Sequence, residues 1–258
     1  VNQPDKLLAK VPKVTVYFWI AKILTTGMGE VFSDFLATHM NPFVAVALGG
    51  VGLIVAFVLQ FAVRRYVTWI YWFVVVMVSI FGTMAADAAH VVLGVPYVAS
   101  TAFFAVVLVV VFAAWYAMER TLSIHSITTR RREVFYWATV LATFALGTAA
   151  GDLTATTMHL GYFSSGVLFT VLLLIPAVGY WLFRLHGIFA FWFAYIMTRP
   201  VGASFSDWIS VPHRLGGLGM GKGMVSFILT LMILLVVGYL SITGRDIQDK
   251  YAMSTTLQ

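Results

Sequence analysis

Apolar residues run in eight long blocks, roughly 14–38, 43–63, 66–92, 97–118, 133–159, 163–183, 187–209 and 223–243, separated by short connections. Each is close to the twenty or so residues a helix needs to cross a hydrocarbon core of ~30 Å. The pattern therefore predicts eight transmembrane helices. Within it a second pattern recurs: a Trp, a Gly ten residues later and an Asp fifteen residues after the Trp. The four sets are Trp19/Gly29/Asp34, Trp72/Gly82/Asp87, Trp137/Gly147/Asp152 and Trp192/Gly202/Asp207, and an aromatic (Phe18, Tyr71, Tyr136, Phe191) precedes each Trp. Aspartate fills only seven of 258 positions, so four hits among eight tryptophans mark an internal repeat. Every set lies on an odd-numbered block. One repeat is thus two helices.

Composition supports the same class. Hydrophobic residues make up 61% of the chain, charged residues 10%, and the mean hydropathy is +0.93, more apolar surface than a soluble domain of this length can cover. The absence of cysteine excludes disulfides and thiolate metal sites. The first block carries Lys22, Glu30 and Asp34 and follows a polar stretch, so it reads as a span that stays and not as a cleaved signal. Basic residues fix an orientation. Lys6, Lys10, Lys13, Arg64, Arg65, Arg120, Arg130, Arg131, Arg132, Arg184, Arg245 and Lys250 flank the blocks on one side, against Arg214 and Lys222 on the other. By the positive-inside rule both termini are expected in the cytoplasm. The net charge of +6 is then a juxtamembrane anchor for a lipid bilayer and requires no nucleic acid.

The expected fold is an all-α polytopic membrane protein, a single membrane domain over 1–258, with eight transmembrane helices forming four parallel two-helix repeats. The repeats are 10–63, 64–120, 130–184 and 185–245. Successive tryptophans of the sets are 53, 65 and 55 residues apart. The long interval holds a charged cytoplasmic linker, 121–133, which suggests two pseudo-symmetric halves within a nearly fourfold whole. Gly49, Gly50 and Gly52 would allow close helix approach.

Apart from Glu133, which opens the fifth block from the charged linker, five of the ten acidic residues lie within the blocks: Glu30, Asp34, Asp87, Asp152 and Asp207. An Asp at a helix centre costs about 2.5–3.5 kcal/mol to insert, so such groups normally face an interior site. Fifteen residues put each Asp ~22 Å along its helix from its Trp. With the tryptophans in a cytoplasmic aromatic belt, the four aspartates come to one depth in the outer half. The Gly of each set is either a close helix contact or a local break, and Pro200 in the fourth repeat suggests a break there. Among nearby groups, His90 and His159 are candidates to touch a bound ion and Arg199 to pair with an acid, while Lys22 is expected to snorkel to the cytoplasmic face. Carboxylates and hydroxyls without thiolates favour hard cations.

The fourfold two-span unit with its regularly placed Trp resembles a bacterial family of uncharacterised membrane-anchored proteins built from four copies of a repeat of unknown function. The similarity covers about residues 10 to 245. Some relatives are associated with aluminium resistance, so the resemblance implies an inner-membrane metal exporter. The expected function is a secondary transporter of a hard multivalent cation such as Al³⁺, Mn²⁺ or Fe³⁺, with the metal as substrate and no cofactor. Ligands would be Glu30, Asp34, Asp87, Asp152 and Asp207, with His90, His159, Arg199 and Lys22 in supporting or gating roles, and proton exchange would be plausible at crowded carboxylates. Glu30 is matched by Thr83, Thr148 and Ala203 in the other repeats, so the site cannot be fully fourfold. A cation channel with an Asp selectivity ring and an exporter of small organic cations stay open. An enzyme is not expected: there is no Gly-x-Gly-Asp and no His-Glu-x-x-His. The glycine-rich stretch 216–223 reads as a flexible connection, not a phosphate loop. No ATPase module is visible, and a homo-oligomer is compatible with all of this.

Overall fold

A computed structural model describes residues 9–91 and 93–248; Lys6 and Lys250 of the basic set lie outside it. All long elements among the described residues are helices: α1 (Val16–His39), α2 (Pro42–Ala62), α3 (Thr68–Val91), α4 (Tyr97–Glu119), α5 (Arg130–Asp152), α6 (Gly161–Phe183), α7 (Gly187–Ser210) and α8 (Lys222–Thr243). They follow the eight apolar blocks closely. The main difference is α5, which starts at Arg130 within the expected linker and hands over at Asp152 to a π-helical turn, Leu153–Thr157. Local chemistry sets the ends. The hydroxyls of Thr15 and Thr129 and the side-chain amide oxygen of Asn41 accept first-turn N–H groups of α1, α5 and α2. Left-handed residues, Arg120, Arg184 and Gly244, end α4, α6 and α8.

Six helices, α2, α3, α4, α5, α6 and α8, are long and apolar enough to cross a membrane. The two that fall short, α1 and α7, carry the charges Lys22, Glu30, Asp34 and Arg199, Asp207. Packing explains how they are accommodated. The odd helices form a closed inner ring, α1 against α3, α3 against α5, α5 against α7 and α7 against α1. The even helices lie outside it. Buried residues make up 61% and 67% of the apolar stretches of α3 and α5, but only 17–28% of those of α2, α4, α6 and α8. Charged side chains on ring helices can therefore point at protein instead of lipid.

The repeats interlock. Each even helix packs chiefly on the odd helix of the following repeat: α2 on α3, α4 on α5, α6 on α7, and α8 back on α1. The glycine of each set is where the ring helices meet. A Cβ built on Gly29 would lie 1.9 Å from the Ser79 hydroxyl, one on Gly82 2.8 Å from Cβ of Phe144, one on Gly147 2.3 Å from Cγ of Arg199, and one on Gly202 1.9 Å from the Thr26 hydroxyl. In every case the partner sits seven residues past the next repeat's Trp, with the fourth repeat closing on the first. The glycine is a close contact and not a break. The break expected at Pro200 is absent too, because α7 runs through it. Gly49 and Gly52 play the same part between α2 and α3, against Met84 and Met77.

The tryptophans are not a lipid-facing belt. Trp72, Trp137 and Trp192 are buried, and the aromatic dipeptides form a cycle of ring contacts. Phe18 meets Trp72 at 5.8 Å, Tyr71 meets Trp137 at 5.4 Å, Tyr136 meets Trp192 at 6.2 Å and Phe191 meets Trp19 at 5.7 Å. The reason for the misplacement is physical: an aromatic near a helix end satisfies belt statistics whichever way it faces, and here it faces the axis.

Around this end the termini are tied together. Lys10 is ion-paired with Glu133, which also accepts from Gln60 Nε2 at 2.8 Å. Tyr66 donates to Asp246 at 2.5 Å; burial, and then that carboxylate, hold its phenol well above the usual range, so it stays a neutral donor.

Because Phe144 abuts the backbone of α3, Gly82→Ala should overpack the ring, at about 1–3 kcal/mol. Gly238→Ala on α8, whose new Cβ would meet nothing nearer than 3.9 Å, should be tolerated. Thermal unfolding of both variants in detergent checks this, and equal midpoints would refute the contact.

Candidate functional site

From the aromatic layer toward the aspartates, the ring interior holds charged groups in three successive layers. In the first lies Lys22, 1% exposed, with Nζ 3.8 Å from the ring centre of Phe144 and 4.2 Å from that of Tyr195. It does not snorkel. Its helix is surrounded by α3, α7 and α8 at this depth, so a four-carbon stem cannot lead out to water along it.

In the second layer Arg199 of α7, fully buried, is ion-paired with Glu30 of α1. The same Nη2 donates to the hydroxyls of Thr83 and Thr148 (2.6 Å to the latter), and Nη1 donates to the Thr26 carbonyl at 3.2 Å. The three partners Glu30, Thr83 and Thr148 occupy one repeat position, eleven past each Trp. The fourth residue there, Ala203, has no polar group. Thr83 and Thr148 lie 3.2 and 3.4 Å from the Glu30 carboxylate, so the pair is embedded in a polar network from all four ring helices. Arg199 itself sits one turn earlier in its repeat, at the position of Thr26, Ser79 and Phe144. Gly147 leaves room for its stem, and also for Pro200.

The third layer is the carboxylates. Glu30, Asp152 and Asp207 each offer an oxygen within 4.8 Å of the others. Asp207 is buried, and its Oδ1 has no hydrogen-bond partner; nor does the buried hydroxyl of Ser204 one turn before it. Buried oxygens without a protein partner are uncommon, and these two are free to accept from water or to ligate a cation. Asp87 holds the same register on α3, half-buried, outside this cluster. Asp34 is drawn toward the end of the ring, where Lys222 of α8 donates to it at 2.6 Å and both side chains are partly exposed. Lys222 was missed as a site residue because it reads as a loop lysine. The available signal was its position, as the one basic residue opening an even helix.

The histidines do not join the acids. His90 stacks on Tyr97 at 3.7 Å and its Nδ1 lies 2.9 Å from the Val95 carbonyl, which ties α3 to the start of α4. His159 is exposed in the turn before α6, in the left-handed region at φ 57. A cavity of about 840 Å³ is a lateral apolar groove between α1, α6 and α7, lined by Trp19, Ile23, Tyr180 and Phe191, and no acid lines it. Counting Lys222, the ring interior and its mouth carry five acids and three bases, a formal −2 if all are ionised.

Fold and site together define a helical membrane protein made of four tandem two-helix repeats around a charged core. The family model for a Repeat of Unknown Function (DUF347) matches residues 17–66, 70–121, 135–185 and 190–246, and the chain belongs to that repeat family. No curated protein and no solved structure matches it.

Removing one member of a buried ion pair leaves the other uncompensated, at about 3–5 kcal/mol. Arg199→Gln should therefore lower the thermal midpoint sharply, and adding Glu30→Gln should restore part of it. A double variant no better than Arg199→Gln would show that the pair is not the reason.

Proposed function

We propose that this protein is a secondary transporter of a hard multivalent metal cation, with Glu30, Asp152 and Asp207 as the central ligands and Asp87 and Asp34 on the path to them. The carrying observation is the three-carboxylate cluster, from three ring helices, next to an orphaned Asp207 oxygen. Such oxygen-only donors suit Mn²⁺, Mg²⁺ or trivalent ions of the Al³⁺ and Fe³⁺ type. In this reading α1 and α7 also span the bilayer, giving eight spans, and the basic loops at the tryptophan end lie in the cytoplasm. The family resemblance favours export from the bacterial cytoplasm.

Arg199 gives the cluster two modes. With the guanidinium on Glu30, a tethered cation fills one corner of the site. An incoming metal ion competes for the same carboxylate and displaces it, so occupancy and helix arrangement become linked. The irregular π turn directly after Asp152 supplies a place where the helix can yield. Access is unequal: the aromatic layer, Lys22 and the Lys10–Glu133–Gln60 contacts close the tryptophan end, whereas only the partly exposed Asp34–Lys222 pair stands at the other. A channel fits less well, because the ring axis is filled with side chains over these layers.

In liposomes, the purified protein should show saturable Mn²⁺ flux without steady current, and Asp152→Asn or Asp207→Asn should reduce it at least about tenfold. In detergent, Mn²⁺ at about 100 times its dissociation constant should stabilise the protein by about 2.7 kcal/mol, an effect lost in Asp207→Asn. Undiminished flux in both variants would reject the site, and a linear current would favour the channel.

A further inference from the structure

We propose that Lys22 carries the counter-transported proton, held in the aromatic box of Phe144 and Tyr195 between the sealed tryptophan end and the carboxylate cluster; this rests on the transporter reading above. Lys22 is 1% exposed and its Nζ has no hydrogen-bond partner. An ammonium in water keeps three hydrogen bonds, and here it has two ring faces instead. Cation–π attraction to two rings returns less than the desolvation of an ammonium costs. A purely structural role is hard to reconcile with that imbalance. The other three repeats place Val75, Val140 and Tyr195 at this position, so the frame itself does not require a charge there.

The surroundings say what the charge could do. From α7 the facing groups are the Arg199 guanidinium and the Tyr195 phenol, and from α5 the Phe144 ring. The charged residues of α3 and α8, Asp87 and Lys222, and those of α5 (Arg130 to Glu133, and Asp152), lie toward the helix ends. On α1 itself Glu30 is eight residues on, ~12 Å along the helix, and is already engaged by Arg199. Two cationic side chains therefore share the axis, and they differ in kind. Arginine stays protonated, whereas a lysine ammonium can become a neutral amine by losing one proton.

A metal ion that displaces Arg199 from Glu30 adds positive charge close to Lys22. The step that relieves it breaks one N–H bond of the ammonium: the electron pair stays on Nζ and the proton passes to water. The next layer toward the tryptophan end holds the Tyr71 and Tyr136 hydroxyls, 2.5 Å apart, on the side to which that proton would go. When the metal leaves, a proton from the opposite compartment restores the ammonium. The carboxylates bind the cargo in this scheme, and the amine counts the protons.

The test uses the full chain in liposomes with an internal pH dye, driven by a Mn²⁺ gradient. The ratio of protons to Mn²⁺ should fall by one in Lys22→Gln and also in Lys22→Arg, which keeps the charge but cannot release the proton. An unchanged ratio in either overturns the proposal. A second measurement needs no transport: in ¹⁵N-lysine-labelled protein without metal, the Nζ signal missing from Lys22→Arg should switch between ammonium and amine across the pH range in which the fold persists. A signal that stays ammonium throughout overturns the proposal as well. Wild-type protein that moves no Mn²⁺ would reject the transporter reading, and the nitrogen titration then decides Lys22 as a proton site by itself.

Discussion

The close approach of neighbouring ring helices at one glycine per repeat constrains everything inside the ring. With a side chain larger than hydrogen at Gly29, Gly82, Gly147 or Gly202, the helices would have to separate. The residues three before and one after this contact would then no longer share a layer. Because the contact recurs around the whole cycle, it fixes four helices at one relative height. That is what turns a repeat in the sequence into layers in space: aromatics, then Lys22, then Arg199 with its acceptors, then the carboxylates. Interlocking by the even helices, each laid on the next repeat, makes the ring hard to divide. No seam between two halves is visible in the packing, although the long linker had suggested one.

Within that frame the charges depend on one another. Glu30 would be an isolated buried carboxylate without Arg199, and Arg199 an isolated buried cation without Glu30. Ions at such depth are tolerable when paired and hydrogen-bonded. Thr83 and Thr148 supply the remaining bonds from the equivalent positions of two further repeats. The network closes on all four helices, so a shift of one is felt by the other three. Under the proposed transporter reading, this is how occupancy of the site would be felt across the ring.

Much of this was legible in the chain. Helix positions follow from the length of apolar runs, since each run is a bilayer crossing in the making. The common register of the acids follows from constant spacing. What sequence could not supply is direction around the helix axis. Trp72, Trp137 and Trp192 were expected at a lipid interface and Lys22 at the cytoplasmic face, and all four point inward. An all-apolar helix offers no moment to say which face meets lipid, because lipid and protein interior look alike to a hydrophobicity pattern. Pro200 misled for a related reason: it marks a lost backbone hydrogen bond but not whether packing will keep the helix continuous. The Lys222–Asp34 pair was hidden because its partners are 188 residues apart.

A fourfold frame with unequal contents also makes physical sense. Four identical acidic positions at the Glu30 level would place four like charges around one axis, with no counter-ion bound and nothing to offset their desolvation. Four identical arginines would fail in the same way. The repeat keeps what the scaffold needs in every copy, the Trp, the Gly and the Asp nearer the mouth. At the crowded centre it places one acid, two hydroxyls and an alanine at one set of four equivalent positions, and the guanidinium of Arg199 one turn earlier on the alanine's own helix. Duplication supplied the ring, and divergence at two positions per repeat converted a symmetric hole into a balanced one. The residual negative charge is displaced toward Asp152 and Asp207, where the partnerless oxygen lies. In the proposed transporter, an internal cation displaced by the cargo, next to under-compensated carboxylates, would be the arrangement in which a multivalent guest gains most over the resting state.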